Sequence, residues 1–172
     1  LVDSAPTWSK ELREKAVERQ KNLLKPANSL GRLEDIAVFL SSWGKKTMKD
    51  LEKIYTILFA VNHGVCRQSV NPFPQEVTFQ MVETFKLGRA AINKICESNE
   101  INLDVIPIDL EKPTADISIG RAMDEKEFIE SFNIGLRAVS ENMDLITLGE
   151  MGIGNTTICL LYTSDAADDS TR

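Results

Sequence analysis

The stretch best suited to chemistry is "GEMGIGNTT", Gly149 to Thr157. Gly149, Gly152 and Gly154 carry no Cβ, so successive backbone N–H groups can turn toward one concavity and hold an anion. A helix beginning at Asn155 or Thr156 would add its free N–H groups and its dipole, and the hydroxyls of Thr156 and Thr157 would add donors. The spacing nearly matches the phosphate loop GxxxxGK[ST], with Asn155 where the lysine should stand. That lysine reaches the β- and γ-phosphates of ATP, so its replacement favours a monophosphate and disfavours an ATP-binding or kinase-like module. Glu150 would repel a phosphate and is better placed against a ring nitrogen or a ribose hydroxyl. A plain glycine-rich turn with a solvated Glu150 accounts for the composition equally well.

Other reactive side chains are few. His63, the only histidine, lies in "FAVNHGV". It has no second histidine, paired cysteine or acid cluster nearby, which argues against a metal site. It can act as an acid–base group or brace its loop through two ring nitrogens, and bracing is the preferred reading. Cys66 has no base partner, so nothing points to a catalytic thiolate. Gln80 follows Glu76 by one helical turn in "PQEVTFQMV", and is either a surface residue or an amide reaching into a site.

The elements that must position these residues follow from hydrophobic periodicity. An amphipathic helix is expected over residues 8–24, with Leu12, Ala16 and Leu23 near one face. After a break at Lys25-Pro26, Ser29 can cap a second helix that turns Leu30, Leu33, Ile36, Ala37 and Leu40 inward and ends before Gly44. "IYTILFAV" (54–61) reads as a strand buried on both faces, the mark of a parallel sheet. One long helix is expected from Gln75 to Cys96, with Val77, Met81, Val82, Phe85, Ala90, Ile92 and Ile95 on its apolar positions. A second strand follows over Ile101–Leu110. Asp124 should cap the next helix, and "MDLITLGE" forms a third strand that runs straight into the glycine loop. Alternating strands and helices predict right-handed crossovers onto a parallel sheet: an α/β, Rossmann-like, doubly wound core preceded by an N-terminal helical segment. Ligands of such sheets bind beyond the carboxyl ends of the strands, where "NHGV" and "GEMGIGNTT" both fall.

The totals are those of one globular domain, 42% hydrophobic and 27% charged. A net charge of −6 argues against nucleic acid or an anionic membrane as partner. Three widely spaced cysteines, Cys66, Cys96 and Cys159, form no disulfide framework or zinc pattern, and a reduced, cytoplasmic setting is expected. No signal peptide or membrane-length apolar run is visible. The missing initiator Met suggests an N-terminus that is incomplete or processed.

Four stretches in order, "KPANSLGRLE" (25–34), "FAVNHGV" (59–65), "PQEVTFQMV" (74–82) and "GEMGIGNTT" (149–157), resemble the nicotinate-nucleotide–dimethylbenzimidazole phosphoribosyltransferases of cobalamin lower-ligand assembly. "IDLEKPTADISIG" belongs to the same pattern, and the likeness runs from about Trp8 to Thr157. It implies transfer of phosphoribose from nicotinate mononucleotide to 5,6-dimethylbenzimidazole, giving α-ribazole 5′-phosphate and nicotinate without a metal or redox cofactor. It also implies a homodimer at full length. Carried over, Gly152, Gly154, Asn155 and Thr156 would bind the nucleotide phosphate and ribose. Glu150 and Met151 would border the site, and Gln80 would lie beside the benzimidazole. Lys25, Ser29, Arg32, Asn62 and His63 would be site-lining or structural. Asn28 stands where the family usually has glycine, and Asn62 where it often has aspartate, which keeps hydrogen bonding but not charge. The family continues well past "GNTT" and carries its general base, a glutamate, in that continuation. The expected division is therefore a helical segment over 1–50, a partial phosphoribosyltransferase domain over 51–157, and a non-native tail over 158–172, whose "CLLYTSDAAD" resembles a translated sequencing adapter. A catalytically inert nucleotide-binding remnant is the alternative for this polypeptide.

Overall fold

The computed structural model describes residues 7–44 and 51–161, which fall in two compact units divided between Glu52 and Lys53. The first unit is a helix pair, α1 (Lys10–Asn22) and α2 (Arg32–Trp43). Ser9 caps α1, its hydroxyl accepting from Leu12 N at 3.3 Å. Ser29 does not cap α2, contrary to expectation. Asn28 and Gly31 both adopt positive φ, 58° and 52°, so the chain spends two more residues turning before the helix begins. The acceptor role passes to Glu34, whose carboxylate accepts from Leu30 N at 3.1 Å and from Lys25 Nζ at 2.6 Å. Leu30, Leu33 and Ile36, expected inward, are exposed. With Phe39 and Trp43 they make the apolar band of this segment broader than one packed helix can cover.

The second unit orders β1 (Ile54–Ala60), a 3-10 helix (Gly64–Gln68), α3 (Glu76–Lys86), α4 (Ala91–Ser98), β2 (Asn102–Pro107), α5 (Glu125–Ala138) and β3 (Leu145–Met151). A further helix, α6, covers residues 155–161. The sheet is wholly parallel, in the order β2-β1-β3. β1 is central, and Thr56, Ile57, Leu58 and Ala60 are buried, as its unbroken apolar run requires. Between β1 and β3 the Thr56 and Thr147 hydroxyls pair at 2.8 Å. Leu58, Phe85 and Ala90 form a core cluster with Met81, Ile92, Leu103, Val105 and Met151 packed against it.

The long helix expected from Gln75 to Cys96 is two helices. Gly88, at φ 69°, ends α3 in a Schellman turn: Gly88 N donates to Phe85 O at 3.0 Å and Arg89 N to Thr84 O at 3.1 Å. Asn93 then reaches back, its Oδ1 accepting from Ala90 N (3.1 Å) and its Nδ2 donating to Phe85 O (2.9 Å). Past the break, Ile95, expected on the apolar positions of a single helix, is exposed on α4. Asp124 caps α5 as expected, in a reciprocal capping box with Glu127.

Candidate functional site

Register sets the site. Ala60 pairs with Met151 on one side and Pro107 on the other, so three loops leave the same end of the sheet. Val61 N donates to Met151 O at 2.9 Å, and the loops after β1 and β3 diverge only beyond it. In a sheet of order 2-1-3 this is the topological switch point, the crevice where doubly wound proteins bind ligands.

The loop after β3 is held from below by residues of other elements. Thr78, fully buried on α3, accepts from Ile153 N at 3.2 Å. The thiol of Cys66 donates to Ile153 O at 2.9 Å. His63 Nε2 hydrogen-bonds the Asn155 side-chain amide at Oδ1. Gln75 Nε2 donates to His63 O at 2.5 Å, tying the histidine to the start of α3. Asn155 N donates to Gly152 O (3.2 Å) and Thr157 N to Gly154 O (3.1 Å). The N–H groups of Gly152 and Gly154 have no acceptor among the described residues.

Two glycines are required here. A Cβ on Gly152 would collide with the Val61 carbonyl oxygen, where the β1 and β3 loops part. Gly154 has φ 95°, and a Cβ there would lie 2.7 Å from Cys66 Sγ. α6 starts at Asn155, directly after the loop, with the Asn155 and Thr157 N–H groups already bonded to the Gly152 and Gly154 carbonyls.

The loop after β2 closes the third side. Thr114 N donates to Asn62 O at 3.2 Å, and Asn62 Nδ2 to Leu110 O at 2.9 Å. Asn62 is buried and its Oδ1 has no hydrogen-bond partner among the described residues. Asp116, also buried, accepts from Gln68 Nε2 at 2.7 Å and from the hydroxyl and N–H of Ser118 at 2.7 and 2.9 Å. The Gln68 amide above all, then Ser118, holds the Asp116 carboxyl below the usual aspartate range.

Of the residues singled out in the sequence, Gly152, Gly154, Asn155, Thr156, Asn62 and His63 gather at this edge, with Thr156 exposed and Gly154 buried. Glu150 is exposed at the penultimate position of β3, while Met151 packs against the core cluster. Gln80 is exposed on α3. Lys25, Ser29 and Arg32 belong to the helical unit, where Lys25 is committed to Glu34 and Ser29 and Arg32 are exposed. Thr78, Gln75 and Cys66 carry the loop and were not singled out for it. The "PQEVT" context held the only available signal, a threonine and an amide near a helix start, whereas nothing marked Cys66 as a donor. Among the described residues no three of His, Cys, Asp and Glu gather as a metal group, and no helix is long and apolar enough to cross a membrane.

This is a parallel α/β unit with a glycine-rich loop at its switch point. A phosphoribosyltransferase family model matches residues 5–168, reaching into the stretch expected to be a non-native tail. A nicotinate-nucleotide–dimethylbenzimidazole phosphoribosyltransferase of Rhodobacter capsulatus is 45% identical over 158 residues, covering 92% of this chain and 47% of that protein. Its counterpart from Mesorhizobium japonicum is 46% identical over 152 residues, covering 88% and 45%. The crystal structure of the Thermus thermophilus enzyme of that name superposes with a TM-score of 0.78 at 31% identity, over 87% of this chain and 51% of its own. The chain thus belongs to the nicotinate-nucleotide–dimethylbenzimidazole phosphoribosyltransferase family, and it spans about half the length of the curated relatives it matches.

Proposed function

We propose that this chain supplies the nucleotide-binding half of a phosphoribosyl transfer from nicotinate mononucleotide to 5,6-dimethylbenzimidazole. The observation that carries the reading is a pair of N–H groups, Gly152 and Gly154, that have no acceptor among the described residues and lie at the β1/β3 switch point ahead of α6. The 5′-phosphate sits on these donors, with Thr156 adding a hydroxyl and Asn155 reaching the ribose. Glu150, exposed at the rim, meets the uncharged side of the ligand, Met151 borders it, and Gln80 lies beside the incoming base.

In the reaction a benzimidazole nitrogen attacks the anomeric carbon opposite the pyridinium. The new C–N bond forms as the bond to nicotinate breaks, and the configuration inverts from β to α. Nicotinate leaves with the bonding electron pair and loses its ring charge, and the azole proton passes to a general base. That base is a glutamate in the family, and none of the residues gathered here occupies its role. Orientation and charge complementarity are what the described residues contribute. No metal or redox cofactor is part of the scheme. The full-length protein acts as a cytoplasmic homodimer, whereas this polypeptide binds nucleotide without turning it over.

Equilibrium dialysis of the chain with labelled nicotinate mononucleotide, followed by incubation with 5,6-dimethylbenzimidazole and chromatography for free nicotinate, tests this. Binding that inorganic phosphate competes away, without nicotinate release, is the expected result. Preferential binding of ATP would replace the reading with a P-loop one, and release of nicotinate would show that the base lies within the chain.

A further inference from the structure

The two peptide units flanking Ile153 are held by side chains of other elements. Thr78 Oγ1 accepts the Ile153 N–H at 3.2 Å, and Cys66 Sγ donates to the Ile153 carbonyl at 2.9 Å. No peptide bond among the described residues is cis, and in a trans unit the C=O and the following N–H point in opposite directions. Drawing the Ile153 carbonyl onto Cys66 therefore sends the Gly154 N–H away from Cys66, toward the open side. Drawing the Ile153 N–H onto Thr78 likewise turns the Gly152 carbonyl away from Thr78, where Asn155 N takes it up at 3.2 Å. Glycine on both sides of Ile153 makes either peptide cheap to flip, because a residue without Cβ tolerates both orientations. A flipped Ile153–Gly154 unit would present a carbonyl oxygen to the anion in place of a donor.

We infer that Thr78 and Cys66 are positioning residues: they clamp the two peptides flanking Ile153 and so keep the Gly154 N–H aimed at the ligand phosphate. The inference rests on the nucleotide-binding reading above. Thr78 is fully buried and Cys66 lies beneath Gly154, whose missing Cβ is what lets the thiol approach. The clamp links the loop to α3 and to the 3-10 helix after β1, so loop geometry depends on two elements far from it in sequence.

The test compares Thr78→Val, which keeps the shape and removes the acceptor, with Thr78→Ser, which keeps the hydroxyl. Cys66→Ala and Cys66→Ser form a second pair. Nicotinate mononucleotide binding is measured by equilibrium dialysis at dilute protein, with inorganic phosphate as competitor. Hydrogen exchange is followed by mass spectrometry on peptides covering 149–157. Thr78→Val and Cys66→Ala should each weaken binding roughly tenfold and speed exchange in those peptides, while both serine variants stay near the unaltered chain. Undiminished binding in Thr78→Val and Cys66→Ala overturns the clamp, as does a Thr78→Ser variant as weak as Thr78→Val, since packing alone would then be at work. If Thr78→Val does not fold, the cysteine pair decides by the same criteria. An unaltered chain that binds neither nicotinate mononucleotide nor phosphate overturns the nucleotide-binding reading itself, and the clamp's role with it.

Discussion

Asp116 shows how single side chains hold the site's third loop. Its carboxylate takes hydrogen bonds from Gln68 and twice from Ser118, and so ties the segment after β2 to the 3-10 helix after β1. Those donors, Gln68 foremost and the nearby Arg67 charge least, depress its pKa below the ordinary 3.8. A group depressed on folding stabilises the fold fully above its unfolded pKa and loses that contribution as pH falls through the lower folded value. Asp116→Asn should therefore flatten the acid limb of stability below pH 3.8 and change little of its slope near neutrality. Urea unfolding at a series of pH values checks it, and an unchanged acid limb would mean that the carboxylate is not anchored as described. At this scale the sequence was legible where the chemistry was local. The glycine loop, its missing lysine and the bracing histidine can all be read from neighbouring residues. Cys66, Thr78 and Asp116 could not, because their partners lie 87, 75 and 48 residues away and only the sheet brings them together.

Elements carry the next layer. The Schellman turn at Gly88 and the double hydrogen bond of Asn93 convert one apolar run into two helices, α3 and α4. Asn93→Ala removes an acceptor from Ala90 N and a donor from Phe85 O, and should cost about 1–2 kcal/mol. Asn93→Asp keeps the acceptor alone and should fall between the two. A shift in the urea midpoint at constant m-value is the measurement, and a neutral alanine variant would deny the cap its role. β1 was legible almost residue by residue, since Ile54–Ala60 is a continuous apolar and aromatic run, whereas β2 (Asn102–Pro107) is shorter than the expected Ile101–Leu110 and β3 (Leu145–Met151) takes in Gly149 and Glu150. The α3–α4 break was hidden because apolar spacing continues smoothly through it, and only the Leu87-Gly88 step signals a left-handed stop. Ser29 misled for a related reason. A serine before an apolar run is a common cap, but two positive-φ residues displaced the helix start to Arg32.

At the scale of the whole molecule, exposed apolar surface is the dominant feature. On α5, Phe128, Ile129, Phe132 and Leu136 are each about half exposed, and the two phenylalanine rings stack with centroids 6.4 Å apart. Positions 128, 132 and 136 recur every four residues, so they form one stripe along the helix. On β3, Leu148 is 72% exposed. With the order β2-β1-β3, both outer strands are edges among the described residues, and edges beside apolar surface favour association. The chain should therefore bind a hydrophobic dye such as anilinonaphthalene sulfonate in its folded state and associate as its concentration rises. Phe132→Glu, a change on the exposed stripe, should lower both effects while leaving the unfolding midpoint nearly unchanged. Sedimentation velocity across a concentration series distinguishes the outcomes. A distribution that broadens with concentration is expected, and a single discrete dimer would instead support the homodimer proposed above. A dye-silent, monodisperse monomer would mean that these side chains are covered in solution, and that the apolar stripe does not govern how the chain behaves.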